Sequence, residues 1–124
     1  MQAAELRYTP DHYWVAWEGD WVVVGITRQA QQALGDITYV ELPLVGRKVR
    51  PQEIVGVIES IKTASEMTAP VAGLVVAVNT SLATTPELIN QDPQGRGWLY
   101  KLASVSAADW ARLLTRAAYE ASNR

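Results

Sequence analysis

Several residue types and patterns are absent or scarce in this chain of 124 residues, and each absence excludes a class of protein. There is no cysteine, which excludes disulfides and thiolate metal ligands. The single histidine, His12, excludes a multi-histidine metal site and weakens any serine–histidine triad. The glycines stand singly, without a phosphate-binding loop, and no run of about 18 apolar residues is present to span a membrane. The composition therefore indicates a protein that brings no catalytic group of its own.

A strong excess of one charge is also missing. The chain has 11 basic and 13 acidic residues, a formal net charge of −2, which argues against a nucleic-acid partner. Residues 1–11 are polar, so we expect no secretory signal, and the lack of cysteine fits a cytoplasmic location. With 48% hydrophobic and 19% charged residues, the chain can bury a core and is expected to be ordered.

The spacing of apolar residues is mostly that of strands, so the sequence predicts a mainly β fold. Thr27 is expected to cap a short helix over Arg28–Leu34 that Gly35 closes, and Thr85-Pro86 to open a helical turn that reaches Ile89. The predicted strands are 13–17, 21–26, 37–42, 53–60, 64–69, 74–78 and 98–102.

The C-terminal segment has the period of a helix. Ser106 followed by Asp109 resembles a capping box, although Glu or Gln is more usual at the third position. The apolar residues that follow at helical spacing are Trp110, Leu113, Leu114, Ala117 and Ala118. They predict one amphipathic helix over about 106–121 that packs on the β body. No low-complexity linker divides the chain, so we expect a single domain over 1–124 with its core in about 8–102.

The most informative stretch is Glu-Ser-Ile-Lys-Thr, which places Lys62 at the tip of a predicted hairpin. A lysine at such a position is usually only solvated. Here, however, Pro70 follows eight positions on and Gly73 eleven positions on, a spacing that resembles lipoyl- and biotinyl-bearing domains. Biotinyl domains typically flank the lysine with methionines, whereas Ile61 and Thr63 flank it here. The sequence therefore favours lipoate over biotin.

Between about residues 8 and 102 the chain resembles the H proteins of the glycine cleavage system. Short segments carry this resemblance through their common order and spacing. They are Tyr8-Thr9-Pro10-Asp11-His12, Val24-Gly25-Ile26-Thr27, Leu34-Gly35-Asp36, Tyr39-Val40-Glu41-Leu42-Pro43, Glu59-Ser60-Ile61-Lys62, Pro70-Val71-Ala72-Gly73, Val78-Asn79, Pro86, Leu88-Ile89-Asn90, Asp92-Pro93 and Gly97-Trp98. Each segment alone is weak, but together they are highly specific.

This resemblance implies the hybrid barrel-sandwich fold of lipoyl domains, with short helical turns and a C-terminal helix. It also implies a carrier that is not an enzyme, with lipoate in amide linkage to Lys62 as a swinging arm. In glycine cleavage the arm shuttles an aminomethyl group between enzymes. The other residues that the resemblance implies are Glu59, Ser60, Ile61 and Thr63 beside the attachment point, and His12, Tyr13 and Glu66 in a cleft for the arm.

One position departs from the family pattern and opens an alternative. After the Tyr-Thr-Pro segment H proteins usually read His-Glu-Trp, whereas this chain reads His12-Tyr13-Trp14. A phenol partners a cationic amine poorly, although Asp11 or Glu66 could partly compensate. The alternative is an H-like lipoate-binding protein that carries sulfur intermediates in heterodisulfide-reductase-like sulfur oxidation. A second alternative is an unmodified scaffold or binding module.

The implied partners follow from the same resemblance. A lipoate ligase or lipoyl transferase would attach the cofactor. Glycine decarboxylase, aminomethyltransferase and dihydrolipoyl dehydrogenase would then use the arm, or a heterodisulfide-reductase-like complex in the sulfur alternative. Neither nucleic acid nor a membrane is expected as a partner.

Overall fold

Nine strands form two antiparallel sheets in the computed structural model, which describes residues 5–123. In chain order these strands are β1 Leu6–Tyr8, β2 Tyr13–Glu18, β3 Trp21–Ile26, β4 Ile37–Glu41, β5 Lys48–Val49, β6 Ile54–Ser60, β7 Ala64–Thr68, β8 Gly73–Val78 and β9 Tyr100–Ala103. The larger sheet has the order β1-β2-β3-β9-β8-β5, and the smaller sheet has the order β4-β6-β7. The predicted mainly β fold is confirmed.

Helices are short and lie between or after the strands. They are α1 Arg28–Leu34, a 3-10 helix Thr80–Ala83, α2 Leu88–Gln91, α3 Ala107–Arg112 and α4 Arg116–Ser122. The Thr27 side chain caps α1 by accepting a hydrogen bond from Ala30 N, and Gly35 ends the helix at a φ of 82°, both as predicted. Each helix within residues 5–123 is too short or too polar to cross a membrane.

The main hydrophobic core joins the inner faces of both sheets. Val24 and Leu102 contribute from the larger sheet, and Ile58 and Met67 contribute from β6 and β7 of the smaller sheet. Alternation along the strands explains this, because every second side chain points to the same face. The hairpin formed by β6 and β7 is therefore anchored by buried side chains just below its tip.

The C-terminal prediction of one continuous helix is wrong, because the chain breaks between α3 and α4. Leu113 is extended, with φ −70° and ψ 151°, and Leu114 pairs with Tyr8 in an isolated bridge. Tyr8 N donates to Leu114 O at 2.8 Å, and Leu114 N donates to Tyr8 O at 2.7 Å. These two bonds replace helical bonds, and Thr115 then caps α4 by accepting from Ala118 N.

Other element boundaries differ from the sequence predictions at particular positions. Strands β1 and β5 were not predicted, since each is very short and is defined by its pairing partner. The helical turn expected from Thr85 to Ile89 lies at Leu88–Gln91. The last strand begins at Tyr100 instead of Trp98, because Trp98 N bonds to Gly95 O in the preceding turn.

Candidate functional site

The tip of the β6–β7 hairpin presents Lys62 to solvent. Residues 61–63 connect the strands, and Ser60 N donates to Thr63 O at 2.8 Å to close the turn. Lys62 is exposed, and no ion pair in the described part of the chain engages its ammonium group. The amine is therefore free for a modifying enzyme to reach.

Ser60 explains how this tip turns without the Asn-Gly or Asp-Gly pair that tight hairpins favour. Its Oγ accepts hydrogen bonds from Lys62 N at 3.1 Å and from Thr63 N at 3.2 Å. A serine hydroxyl that binds backbone N–H groups two or three residues ahead is a known alternative to a glycine turn. The side chain of Ser60 thus fixes the backbone at the attachment point.

The Lys62 side chain lies across Gly35 at the end of α1. A Cβ atom placed on Gly35 would lie 3.2 Å from Lys62 Cε and 3.6 Å from Nζ. Gly35 has φ 82° and ψ −152°, a backbone region that is essentially restricted to glycine. The bare backbone therefore forms a floor on which the lysine stem rests.

The other two lysines of the sequence are placed differently. Lys101 Nζ lies 2.6 Å from Glu18 Oε1 and 4.9 Å from the centroid of the Trp98 ring. Lys48 is exposed, but it belongs to β5, where it pairs with Leu74 of β8. Among the three lysines, Lys62 alone stands at a hairpin tip.

The predicted cleft residue Tyr13 is buried and bonded to the hairpin strand β7. Its hydroxyl accepts a hydrogen bond from Thr68 N at 3.0 Å, and Thr68 Oγ1 donates to Asp11 Oδ2 at 3.1 Å. Burial raises the pKa of the Tyr13 phenol, and the hydrogen bonds with Thr68 oppose this rise only in part. Tyr13 is consequently a neutral phenol at physiological pH, and the negative charge beside it is that of Asp11.

His12 is bonded to the C-terminal helix α4. Its Nδ1 lies 2.6 Å from the hydroxyl of Tyr119, and that hydroxyl lies 3.0 Å from Thr27 Oγ1. The His12 backbone has a φ of 73°, which is uncommon outside glycine. The hydrogen bonds of the structure thus join His12 to α4 and α1, whereas those of Tyr13 join β7.

The remaining predicted residues surround the tip in exposed positions. Glu59 pairs with Ala64 at the end of the hairpin, and Ile61 is 68% exposed beside Lys62. Glu66 and Thr63 are also exposed. Glu66 lies on β7 two residues before Thr68, so the side chains of Glu66 and Thr68 project from the same face of the strand. The tip therefore combines one lysine, one exposed aliphatic side chain and two carboxylates.

Comparison with known proteins defines the class and then the family. An exposed lysine at the tip of a well-ordered hairpin in a mainly β fold is typical of a carrier that bears a covalently attached group. The family model described as "Glycine cleavage H-protein" matches residues 6–124. The chain belongs to the glycine cleavage H-protein family.

Curated relatives and a solved structure agree with this family. The glycine cleavage system H protein of Acinetobacter baumannii is 52% identical over 118 residues, which cover 95% of each chain. That of Thermus thermophilus is 54% identical over 113 residues, which cover 91% of this chain and 88% of the relative. The crystal structure of a glycine cleavage system H protein from Mycobacterium marinum matches with a TM-score of 0.85 and 40% identity, and the match covers 98% of both chains.

These relatives bear on the two pathways left open by the sequence. All three are described as glycine cleavage H proteins, so the chain is a carrier of that type. The sulfur-oxidation alternative and its heterodisulfide-reductase-like partner receive no support, and Tyr13 alone does not sustain them.

The structure places three residues next to the attachment point for which the sequence indicates no role there. Gly35 lies under the lysine stem, Asp36 O accepts a hydrogen bond from Ile61 N at 3.0 Å, and Asn90 bonds to the loop between α1 and β4. These residues occur in segments that carry the family resemblance, which was the available signal. Only the fold shows that they meet at the hairpin.

Proposed function

We propose that lipoate is attached in amide linkage to Lys62 and that this arm carries the glycine-derived cargo of a glycine cleavage system. The single observation that supports this most directly is the position of the amine. Lys62 is exposed at a hairpin tip whose base is anchored in the core and whose turn is fixed by Ser60. The proposal assigns no catalytic step to the chain itself.

The residues at the tip fit such a group. Amide formation removes the charge of Lys62, so the stem can lie on Gly35 and near exposed Ile61 without desolvating an ammonium ion. The floor has no side chain that would have to move. When bound, the lipoyl group supplies a redox-active disulfide, which this cysteine-free chain lacks.

Carboxylates near β7 suit a cationic cargo even though Tyr13 replaces the usual glutamate. Asp11 is held by Thr68, and Glu66 is exposed on the same strand. A carboxylate attracts an amine cation far more strongly than a phenol does. We therefore assign the recognition of the cargo charge to Asp11 and Glu66, with the neutral phenol of Tyr13 and the ring of His12 as walls of the cleft.

The proposed partners are those of the glycine cleavage pathway. A lipoate ligase or lipoyl transferase modifies Lys62. Glycine decarboxylase, aminomethyltransferase and dihydrolipoyl dehydrogenase then meet the arm in turn, and the proposed location is the cytoplasm. The exposed position of Glu59, Ile61 and Thr63 beside the lysine supports a role for them in recognition by these enzymes.

The experiment that tests this function compares two arginine substitutions. Lys62→Arg should keep the fold but abolish carriage, because arginine does not form the lipoyl amide. Lys48→Arg is the matched control, since it changes another exposed lysine away from the tip. Each protein is treated with lipoate and a lipoate ligase, and release of CO₂ from labelled glycine is measured with a glycine decarboxylase.

We expect CO₂ release with the wild-type chain and with Lys48→Arg, and none above background with Lys62→Arg. Activity of Lys62→Arg equal to that of the control would show that the site is misassigned. A wild-type chain that accepts lipoate but supports no decarboxylation would contradict the proposed pathway.

A further inference from the structure

The side chain of Asn90 bridges the two ends of the loop that leads from α1 into β4. Its Nδ2 donates to Gly35 O at 2.8 Å, and its Oδ1 accepts from Ile37 N at 2.9 Å. The orientation of the amide is fixed by these partners, because a carbonyl needs a donor and an N–H needs an acceptor. One side chain therefore determines the conformation of three consecutive residues.

The loop of residues 35–37 also contacts the hairpin turn that presents Lys62. Asp36, the residue between the two partners of Asn90, accepts a hydrogen bond from Ile61 N at 3.0 Å. Ile61 directly precedes Lys62. Ile37 pairs with Ser60 at the end of β6, so the loop touches the hairpin at two adjacent positions.

Asn90 is itself held in place from α1. The Arg28 guanidinium donates to Asn90 O at 2.7 Å. This hydrogen bond joins α1 to the short helix α2, which packs against it. Asn90 is partly buried, so water competes weakly for its amide. The backbone of Asn90 is thus held by Arg28, while its side chain is held by Gly35 and Ile37.

We propose that Asn90 is a positioning residue for the modified lysine. It holds the loop of residues 35–37 so that Asp36 O receives Ile61 N and bare Gly35 lies beneath the Lys62 stem. The root of the arm thereby has a defined direction across the end of α1. The biological meaning of this direction rests on the proposed lipoylation of Lys62, whereas the positioning itself is a property of the chain.

Asn79 offers a matched control for this role. Its side chain also makes two hydrogen bonds to the backbone, in this case by Nδ2 donating to Arg96 O and Trp98 O, both at 2.8 Å. Those partners lie in the loop before β9, and within residues 5–123 their backbone groups make no hydrogen bond to the hairpin tip. Asn79→Ala therefore removes a comparable pair of bonds without touching the floor of Lys62.

The test measures amide hydrogen exchange in wild-type, Asn90→Ala and Asn79→Ala proteins, all as the full chain. In Asn90→Ala the amides of Ile37 and Ile61 should exchange about tenfold faster than in wild type, as expected when hydrogen bonds that order a loop are lost. In Asn79→Ala both amides should keep their protection after correction for global stability. Equal protection of these two amides in both variants would overturn the proposal.

A second readout uses the apo-protein as a substrate of a lipoate ligase. Asn90→Ala should raise KM for the apo-protein by roughly threefold with kcat nearly unchanged, because the lysine is presented in more orientations. Asn79→Ala should leave both constants unchanged. An unchanged KM in Asn90→Ala would count against positioning, even where its global stability falls.

Asn90→Asp keeps an acceptor for Ile37 N, but its second carboxylate oxygen replaces the donor and repels Gly35 O. It should leave Ile37 protected and accelerate exchange at Ile61 at least as much as Asn90→Ala does. Unchanged exchange at Ile61 in this variant would oppose the proposal. If the wild-type chain takes up no lipoate, the proposed function fails, while the exchange data still decide the role of Asn90.

Discussion

Tyr13 stands where the family resemblance leads one to expect a carboxylate, and its surroundings are those of a core residue. Its side chain belongs to the main hydrophobic cluster, and its hydroxyl accepts a hydrogen bond from Thr68 N. A carboxylate here would be desolvated beside Asp11, which is unfavourable for two like charges. The local structure around Tyr13 is thus built for a neutral group.

Tyr13→Phe should show what this phenol contributes to stability. At neutral pH the substitution should lower the free energy of unfolding by about 1 kcal/mol, because Thr68 N loses its partner. Burial raises the folded-state pKa of Tyr13 above the ordinary 10.0, so its contribution is complete below 10.0 and is lost as pH rises through the folded pKa.

Urea unfolding of both proteins at neutral pH and at increasing alkaline pH checks this prediction. The difference in unfolding free energy between wild type and Tyr13→Phe should shrink above pH 10.0. A difference that stays constant across the alkaline range would contradict the stabilising role assigned to the Tyr13 phenol.

The sequence predicts Lys62 as the attachment point, but it does not indicate most of the residues that support this lysine. A lysine in Glu-Ser-Ile-Lys is visible in one segment of sequence, as is the serine two residues before it. The Asn90 contacts join positions 53 and 55 residues apart, and no local pattern encodes them. The contact between Gly35 and the Lys62 stem likewise depends on the assembled fold.

At the scale of elements, the C-terminal segment shows how a tertiary contact overrides helical periodicity. The spacing of Leu113, Leu114 and Ala117 fits one helix, yet Leu114 pairs with Tyr8 and interrupts it. The helix α4 then resumes and buries Tyr119, which stacks on Tyr8 with ring centroids 4.5 Å apart. Pairing with a strand about one hundred residues away is invisible to periodicity.

Thr115 should be a measurable cap for α4 as an independent element. Thr115→Ala should lower the free energy of unfolding by about 1 kcal/mol, because Ala118 N loses the threonine hydroxyl that it now bonds to. Thr115→Ser is the control and should retain most of that stability. Equal stability of the alanine variant and wild type, measured by chemical denaturation, would favour a continuous helix instead.

The elements that were predicted well are those determined by local chemistry. The strands β2 and β3 follow from their β-branched and aromatic runs, and α1 follows from Thr27 and Gly35 at its two ends. In contrast, β5 has two residues and exists only because Lys48 and Val49 pair with β8. Short strands of this kind are created by the assembled sheet.

At the scale of the whole molecule, the fold supplies a firm base for the proposed attachment point. Buried Ile58 and Met67 anchor the hairpin strands in the core shared by both sheets. The loop of residues 35–37 supports the tip from the side, so Lys62 is exposed without being loosely held. A carrier needs this combination, because its arm must move while its attachment point stays recognisable to several enzymes.

Peptide mapping of the chain after expression with lipoate and a lipoate ligase tests the central claim most directly. Acylation blocks tryptic cleavage after the modified lysine. We predict a mass gain of one lipoyl group, located on a peptide that spans an uncleaved Lys62, with Lys48 and Lys101 cleaved normally. An unmodified Lys62, a biotinyl mass at that position, or a lipoyl group on either of the other lysines would contradict the account.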